Sequence, residues 1–202
     1  LDGYKIFKSN QVTGDHLKNE LTFENKKQYA SGKNTGIVSN LPKIAKCGHV
    51  LFKNISKNHE YWCAVYKPTG MTTIASNLLK GDKVCVGGGV RKSSKNFPRI
   101  INLEFLDVIS LEKNTSLSNP KCKKCNKKMK SKGVDQGFQC IKCGAKASKK
   151  ITIKNTRKIK NQLYLPQVSA HRHLSRPRQR IGTINKSRKF DSSLSWFCVY
   201  EK

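Results

Sequence analysis

Four cysteines stand in two pairs whose spacing is typical of a metal site. Cys122 and Cys125 enclose two residues, Cys140 and Cys143 enclose two more, and 14 residues separate the pairs. Two such turns can direct four thiolates at one tetrahedral Zn²⁺. Because four protein ligands leave no coordination position for substrate or water, we expect this zinc to be structural.

Two other uses of these cysteines compete with zinc. Iron in a rubredoxin-like site takes the same four ligands, and disulfides are the second alternative. Nothing in the sequence points to a secreted chain, which disfavours disulfides. Electron transfer, in turn, does not require the lysines that surround the cysteines: Lys121, Lys123, Lys124, Lys127, Lys128, Lys130, Lys132, Lys142 and Lys146. We therefore predict a zinc ribbon over residues 114–150.

The charge of the chain points to a polyanionic partner. There are 41 Lys and Arg against 12 Asp and Glu, a net charge of +29. Residues 121–202 carry 23 of the basic residues and only 3 of the acidic ones. Binding to phosphates releases condensed counterions, so a nucleic acid is the expected partner. Lys123, Lys124, Lys127 and Lys128 of the ribbon are the expected contacts.

Two other roles for the charge are weaker. The basic residues lie on no evident amphipathic helix that would favour an acidic membrane surface. Apolar runs are only a few residues long, which excludes a membrane-spanning helix, and we expect a cytoplasmic protein without membrane contact. The remaining alternative is that the charge serves solubility alone.

The elements before the ribbon predict a small barrel. Segments rich in β-branched and aromatic residues lie at 36–39, 48–55, 60–66, 82–91 and 100–111. Apolar residues at helical spacing predict a helix over 71–79, with Thr72 or Thr73 as its cap. The order strand, strand, strand, helix, strand, strand is that of the OB-fold, a five-stranded barrel. We therefore predict a mainly β chain with an OB-fold over 32–113, in which the glycines at 87–89 allow sharp coiling.

Aromatic residues of the third predicted strand are candidates for base stacking. The alternation of side chains directs Cys63 and Val65 into the barrel and turns Trp62 and Tyr66 outward. Phe52 of the preceding strand is expected to join them in stacking on bases. The alternative is that these aromatics fill the core or a domain contact, since a one-residue slip inverts the faces.

Further basic residues are expected to contact phosphates. Arg91, Lys92 and Lys95 lie in the connection between the last two predicted strands. Beyond the ribbon, residues 151–202 are predicted to form a basic arm whose expected contacts are His171, Arg172, His173 and Arg176. Packing of this arm on the ribbon is the alternative. A metal role for the two histidines would need more ligands than the nearby sequence offers.

The ordered succession of several segments resembles a known family, the archaeal isoleucine-tRNA agmatinylcytidine synthetases. The resemblance spans most of residues 3–182. It is carried by the paired cysteines, by the arm at 169–177, and by the segments FKSNQ (7–11), TGDHL (13–17), GHVLF (48–52), CAVYKPTG (63–70), GDKV (81–84) and INLE (101–104).

The resemblance implies a four-part enzyme: an ATP-using catalytic domain, a ferredoxin-like domain, an OB-fold and a zinc ribbon. Such an enzyme joins agmatine to the first anticodon cytidine of an isoleucine tRNA. Residues 1–31 would then end the ferredoxin-like domain, and the N-terminal catalytic domain would be missing. The sequence agrees, because it contains no P-loop, no paired carboxylate motif and no evident triad, and it begins at Leu1 rather than Met. Under this hypothesis the chain contacts the tRNA, and ATP and agmatine are needed only by the full-length enzyme.

Two other hypotheses remain. OB-folds with zinc ribbons also occur in stand-alone proteins that bind single-stranded nucleic acid. The third class is a protein-interaction module of a larger complex.

Overall fold

The computed structural model describes residues 11–95 and 98–183. The parts of the predicted N-terminal segment and basic arm at residues 1–10 and 184–202 lie outside the described residues. The described chain is mainly β, with one closed barrel, one short α-helix and a separate small ribbon. No described helix has the length and apolar character needed to cross a membrane.

Five strands close the barrel, as the sequence predicts. Around it they follow the order β1-β5-β6-β4-β3, and β3 pairs again with β1. The β4–β6 pair is parallel and the others are antiparallel. A two-residue strand, β2, extends the sheet beside β3. The strands are β1 (Ser31–Val38), β2 (Lys43–Ile44), β3 (Val50–Ser56), β4 (His59–Val65), β5 (Lys83–Val90) and β6 (Ile100–Ser110).

The first strand is longer than its sequence pattern indicates. The sequence pattern predicts a strand at 36–39, which covers only the apolar end of β1. The earlier residues include Lys33, Asn34 and Thr35, which give no apolar signal, but they pair with β5 from Ser31 onward. At the other side of β5, a register shift against β6 falls between Gly87 and Gly88. An added Cβ on Gly88 would lie 1.9 Å from the carbonyl oxygen of Asn102, so the two strands approach too closely here for a side chain. That these glycines allow sharp coiling stays a prediction.

One helix closes an end of the barrel between β4 and β5. It is α1, Thr72–Ser76, and its flank places Met71, Ala75 and Leu78 in the core. The prediction of a helix over 71–79 is too long, and neither Thr72 nor Thr73 caps it. The helix ends early because the Asn77 side chain donates to the Thr73 carbonyl and the carboxylate of Asp82 accepts the Leu79 amide.

The ribbon is carried by a two-stranded stalk. The stalk consists of β7 (Thr115–Ser118) and β11 (Ile151–Lys154), which pair antiparallel. Between them lies a three-stranded sheet of β8 (Lys130–Ser131), β9 (Phe138–Gln139) and β10 (Lys146–Ala147). The buried hydrophobic cluster of the described ribbon consists of Cys122, Met129, Phe138 and Cys140. A core of this size needs a further source of stability.

Two segments, one that precedes the barrel in the sequence and one that follows the ribbon, pack against the barrel. Leu21, before β1, and Ile159, after the stalk, are both in the barrel core. Beyond Ile159, β12 (Leu163–Tyr164) pairs with β6. The remaining elements are short 3₁₀ turns at Asp15–Leu17, Lys67–Thr69, Val168–Ala170 and Arg178–Arg180. The division of the chain at residues 31, 113 and 150 stays a prediction.

Candidate metal centre and nucleic-acid interface

Two turns of the same design present the four cysteines. In the first, the Cys122 amide donates to the Lys127 carbonyl, and the Asn126 amide donates to the Cys122 carbonyl. In the second, Cys140 pairs with Ala145 and Gly144 returns to Cys140 in the same way. The residue after each second cysteine has a positive φ, 53° at Asn126 and 73° at Gly144. Both residue types adopt this conformation readily, so the sequence favours these turns locally.

The four thiols fit a tetrahedral zinc ion. Their sulfurs all lie within 4.8 Å of one another, and the Sγ atoms of Cys122 and Cys143 are 3.4 Å apart. A tetrahedral Zn²⁺ with bonds of about 2.3 Å would set sulfurs roughly 3.8 Å apart. Among the described residues no other group of three or more possible ligands comes together, so His171 and His173 form no such cluster.

The electrostatics of the four cysteines also favour a bound cation. Backbone amides of Cys143 and Lys142 donate to the sulfur of Cys140 and lower its pKa to about 7. The adjacent Cys143 thiol raises the pKa of Cys125 to about 12. Four thiolates at these distances therefore repel one another unless a divalent ion compensates them. When bound, zinc would hold both turns together and so supply the stability that the small ribbon core lacks.

The lysines of the ribbon are displayed toward solvent. Lys123, Lys124, Lys127 and Lys128 are exposed, as are Lys121, Lys130, Lys132, Lys142 and Lys146. Within residues 11–95 and 98–183, none of these nine forms an ion pair with a carboxylate. The ribbon therefore carries uncompensated positive charge, which favours a polyanion.

Two of the three predicted stacking aromatics reach the barrel surface. Trp62 and Tyr66 are both half-exposed. The Lys53 ammonium lies 5.0 Å from the centroid of the Trp62 ring. The Tyr66 hydroxyl donates to Asn102 over 3.2 Å, and the His49 ring meets Tyr66 edge-on at 4.6 Å. Stacking on bases stays a prediction for both residues.

The prediction for Phe52 is wrong. Its side chain is 0% exposed and lies in the barrel core. Phe52 stands opposite Cys63 in the β3–β4 register, and directly opposed residues share one face of a sheet. Since Cys63 points inward, as predicted, Phe52 points inward with it and cannot reach a base.

The β5–β6 connection carries exposed basic residues and ends at a residue that pairs with Trp62. Arg91, Lys92 and Lys95 are exposed. The connection ends at Ile100, which stands beside Trp62 in the parallel β4–β6 register. The end of a basic connection therefore lies beside a strand that carries a half-exposed aromatic side chain, a combination that is common in nucleic-acid-binding barrels.

In the described part of the arm, residues 151–154 pair with the stalk strand β7, whereas later residues contact the barrel and the segment before it. His171 contacts the Pro166 carbonyl through Nε2 at 2.9 Å, and Arg176 donates from Nε to the Thr13 carbonyl over 2.8 Å. Arg172 is 60% exposed at its side chain and lies 3.4 Å from Glu104, while His173 is exposed. Phosphate binding by these four residues stays a prediction, and contacts within the chain engage three of them.

Several residues of the site escaped sequence reasoning. Glu104 is buried in β6 and accepts hydrogen bonds from both His16 and Ser175. Lys53 and His49 contact the predicted stacking aromatics. These partners lie up to 88 residues apart, so no local spacing identifies them. The family resemblance alone carried a signal for some of them, since Glu104 lies in INLE, His16 in TGDHL and His49 in GHVLF.

The ribbon matches a known family of domains. The model of the C-terminal zinc ribbon domain of TiaS matches residues 119–159. TiaS of Cenarchaeum symbiosum, a 2-agmatinylcytidine synthetase of an isoleucine tRNA, is 41% identical over 201 residues, which is 100% of this chain and 45% of that protein. The chain thus spans less than half the length of this curated relative.

Solved structures show the same similarity. The crystal structure of apo TiaS superposes with a TM-score of 0.72 at 33% identity, covering 86% of this chain and 40% of that one. The crystal structure of TiaS in complex with an isoleucine tRNA and ATP gives a TM-score of 0.69 at 32% identity, covering 89% and 40%. Both similarities extend across the barrel as well as the ribbon, since the ribbon alone is a small part of the chain.

Proposed function

Because the chain belongs to the isoleucine-tRNA 2-agmatinylcytidine synthetase family and corresponds to its C-terminal part, we propose that it is the tRNA-binding region of such an enzyme. The observation that carries this proposal is the match of the whole chain to one relative at 41% identity. The uncompensated lysines of the ribbon and the basic loop beside Trp62 support it, because both suit a folded polyanion.

The chemistry is assigned to the rest of the enzyme. An N-terminal catalytic domain would use ATP to join agmatine to the first anticodon cytidine. Barrel and ribbon would hold the tRNA so that this cytidine reaches the catalytic domain, which accelerates the reaction by orientation. Residues 1–31 would connect the two parts as the end of a ferredoxin-like domain.

Binding measurements test the proposal. In a filter-binding assay at moderate salt, the isoleucine tRNA whose anticodon begins with cytidine should bind more tightly than single-stranded DNA of equal length. Equal affinity for the two polymers would contradict the proposal.

A pair of lysine variants tests the role of the ribbon. Replacing Lys123 and Lys124 by Gln should weaken tRNA binding and reduce the slope of log K against log salt by about one for each lost phosphate contact. The matched control replaces Lys43 and Lys46, exposed lysines at the edge of the barrel, and should change the slope less.

A second candidate is favoured by the outward position of Trp62. A stand-alone protein that binds single strands would depend on base stacking at this residue. Trp62→Ala would then cost about 1–3 kcal/mol of binding free energy for a single-stranded oligonucleotide. A negligible loss there, together with a large loss of tRNA binding from the ribbon variants, favours the synthetase.

A further inference from the structure

A buried carboxylate holds the chain where the stalk leaves the barrel. Asp82, just before β5, is 0% exposed. Its Oδ1 atom accepts from Arg157 Nη1 at 2.6 Å and from the Glu112 amide at 2.8 Å. Its Oδ2 atom accepts from Arg157 Nη2 at 2.6 Å and from the Leu79 amide at 2.7 Å. Both carboxylate oxygens are therefore fully satisfied despite their burial.

The guanidinium of Arg157 extends this contact to two more segments. Nη1 also donates to the Glu112 carbonyl over 3.1 Å, and Nη2 donates to the Asn77 carbonyl over 2.8 Å. One side chain thus joins the end of α1, the start of β5, the end of β6 and the segment after the stalk. We call the Arg157–Asp82 pair with these contacts the base clamp.

The base clamp holds both connections of the stalk. Glu112 lies just before β7, and Arg157 lies just after β11. Between the clamp and the strands, the Asn155 amide donates to the Asn114 carbonyl over 2.7 Å. The stalk strands themselves are almost wholly exposed, so they do not pack on the barrel. The direction of the stalk is therefore determined at its base.

A bidentate pair suits this purpose better than a single charge. Two parallel N–H···O bonds fix the plane of the guanidinium as well as its distance. A lysine at position 157 would keep the charge but could not span both oxygens in the same plane. The position and angle of the stalk therefore depend on the bidentate guanidinium group of Arg157.

We infer that the base clamp fixes the direction of the ribbon relative to the barrel, and thereby sets the spacing between two surfaces that bind one tRNA. The second part of this inference rests on the proposed function. Two surfaces held at a fixed separation bind a rigid polyanion with a high effective concentration, and this advantage falls when one surface moves independently.

Arg157→Lys tests the inference in the zinc-loaded chain. NMR relaxation of backbone amides gives separate rotational correlation times for the barrel and the ribbon. In the wild type the two values should agree, and in Arg157→Lys the ribbon value should fall below that of the barrel. Affinity for tRNA should drop about tenfold, because the two surfaces no longer bind as one unit. Arg178→Lys, an exposed arginine in the arm, is the matched control and should change neither value.

A second variant keeps the experiment decisive if Arg157→Lys does not fold. Two glycines inserted after Asn114 and two after Asn155 leave the clamp intact and free the stalk. This variant should lose the same affinity, while its zinc content stays unchanged. Unchanged correlation times in Arg157→Lys, or unchanged tRNA affinity in the glycine variant, would overturn the inference. If the wild type shows no preference for tRNA, the proposed function fails, but the correlation times still decide whether the clamp orients the ribbon.

Discussion

Glu104 Oε2 lies 2.9 Å from Nε2 of His16, so a buried carboxylate of β6 holds a segment that precedes the barrel. The same oxygen accepts from Ser175 at 3.0 Å, and Arg172 approaches the other oxygen at 3.4 Å. Beside this contact, the Val12 amide donates to the His173 carbonyl. Glu104 therefore joins the segment before the barrel to the arm that follows the ribbon.

Removal of this carboxylate should loosen both segments. Glu104→Ala leaves the buried donors of His16 and Ser175 without an acceptor, which should cost about 1–3 kcal/mol of unfolding free energy in chemical denaturation. Limited proteolysis should also cut the arm faster. Glu60→Ala is the control, since Glu60 pairs with Lys53 at the surface and should matter by less than about 1 kcal/mol. Equal effects of the two variants would contradict the role of Glu104.

Because of the base clamp, the free energy of unfolding should depend on pH in the acidic range. Burial alone would raise the pKa of Asp82, but Arg157 and the amides of Leu79 and Glu112 outweigh burial and lower it. A lowered pKa in the folded state contributes stability above the unfolded pKa of about 3.9, and this contribution is lost as the pH falls through the folded value. Denaturation curves between pH 7 and pH 2 should therefore show a fall in unfolding free energy below about pH 4.

Asp82→Asn should remove part of that fall. At pH 7 it should also cost about 3–5 kcal/mol, because Arg157 is left as a buried charge without its partner. The control is Asp135→Asn at an exposed position of the ribbon, which should keep the acid dependence of the wild type. An Asp82→Asn variant with the full acid dependence would rule out this explanation.

Zinc should decide whether the ribbon folds. The chain should bind one Zn²⁺, and removal by a chelator should unfold the ribbon, because its core consists of two zinc ligands and two apolar residues. Structural zinc sites commonly contribute about 10 kcal/mol or more. NMR signals from the ribbon should then move to random-coil positions while those of the barrel persist. Cys122→Ser should abolish zinc binding and Cys47→Ser, at an exposed cysteine, should not; equal zinc contents would disprove the site.

Two adjacent glycines should differ in their tolerance of a methyl group. Gly88→Ala would place Cβ 1.9 Å from the backbone oxygen of Asn102 and should cost at least about 2 kcal/mol of stability. Gly89→Ala meets nothing nearer than 3.6 Å and should change stability by less than about 0.5 kcal/mol. Thermal unfolding of the two variants measures the difference, and similar melting temperatures would refute it.

The structural features that could be predicted are those determined by residues close together in the sequence. The cysteine spacing predicts the metal site because each turn closes within a few residues, and alternation in β4 predicts that Cys63 and Val65 point inward. The position of Phe52 could not be predicted, since its face depends on the pairing of β3 with β4. The polar start of β1 is a strand only because β5 pairs with it.

Polar contacts between residues far apart in the sequence could not be predicted either. Asp82 and Arg157 lie 75 residues apart, and the barrel must close before they meet. Neither residue stands in a charge pattern that distinguishes it from the other charged residues of the chain. The elements that position the site were therefore predictable, whereas the contacts that fix their relative orientation were not.

Leu21 and Ile159, which share the barrel core from opposite sides of the ribbon in sequence, impose an order on folding during synthesis. When the ribosome has delivered all five barrel strands, Ile159, a buried side chain of the core, has still to be made, beyond the cysteine pairs of the ribbon. The nascent barrel therefore lacks this core side chain until the metal-binding segment has emerged. Early capture of zinc would draw the two stalk strands together and bring Ile159 to its place.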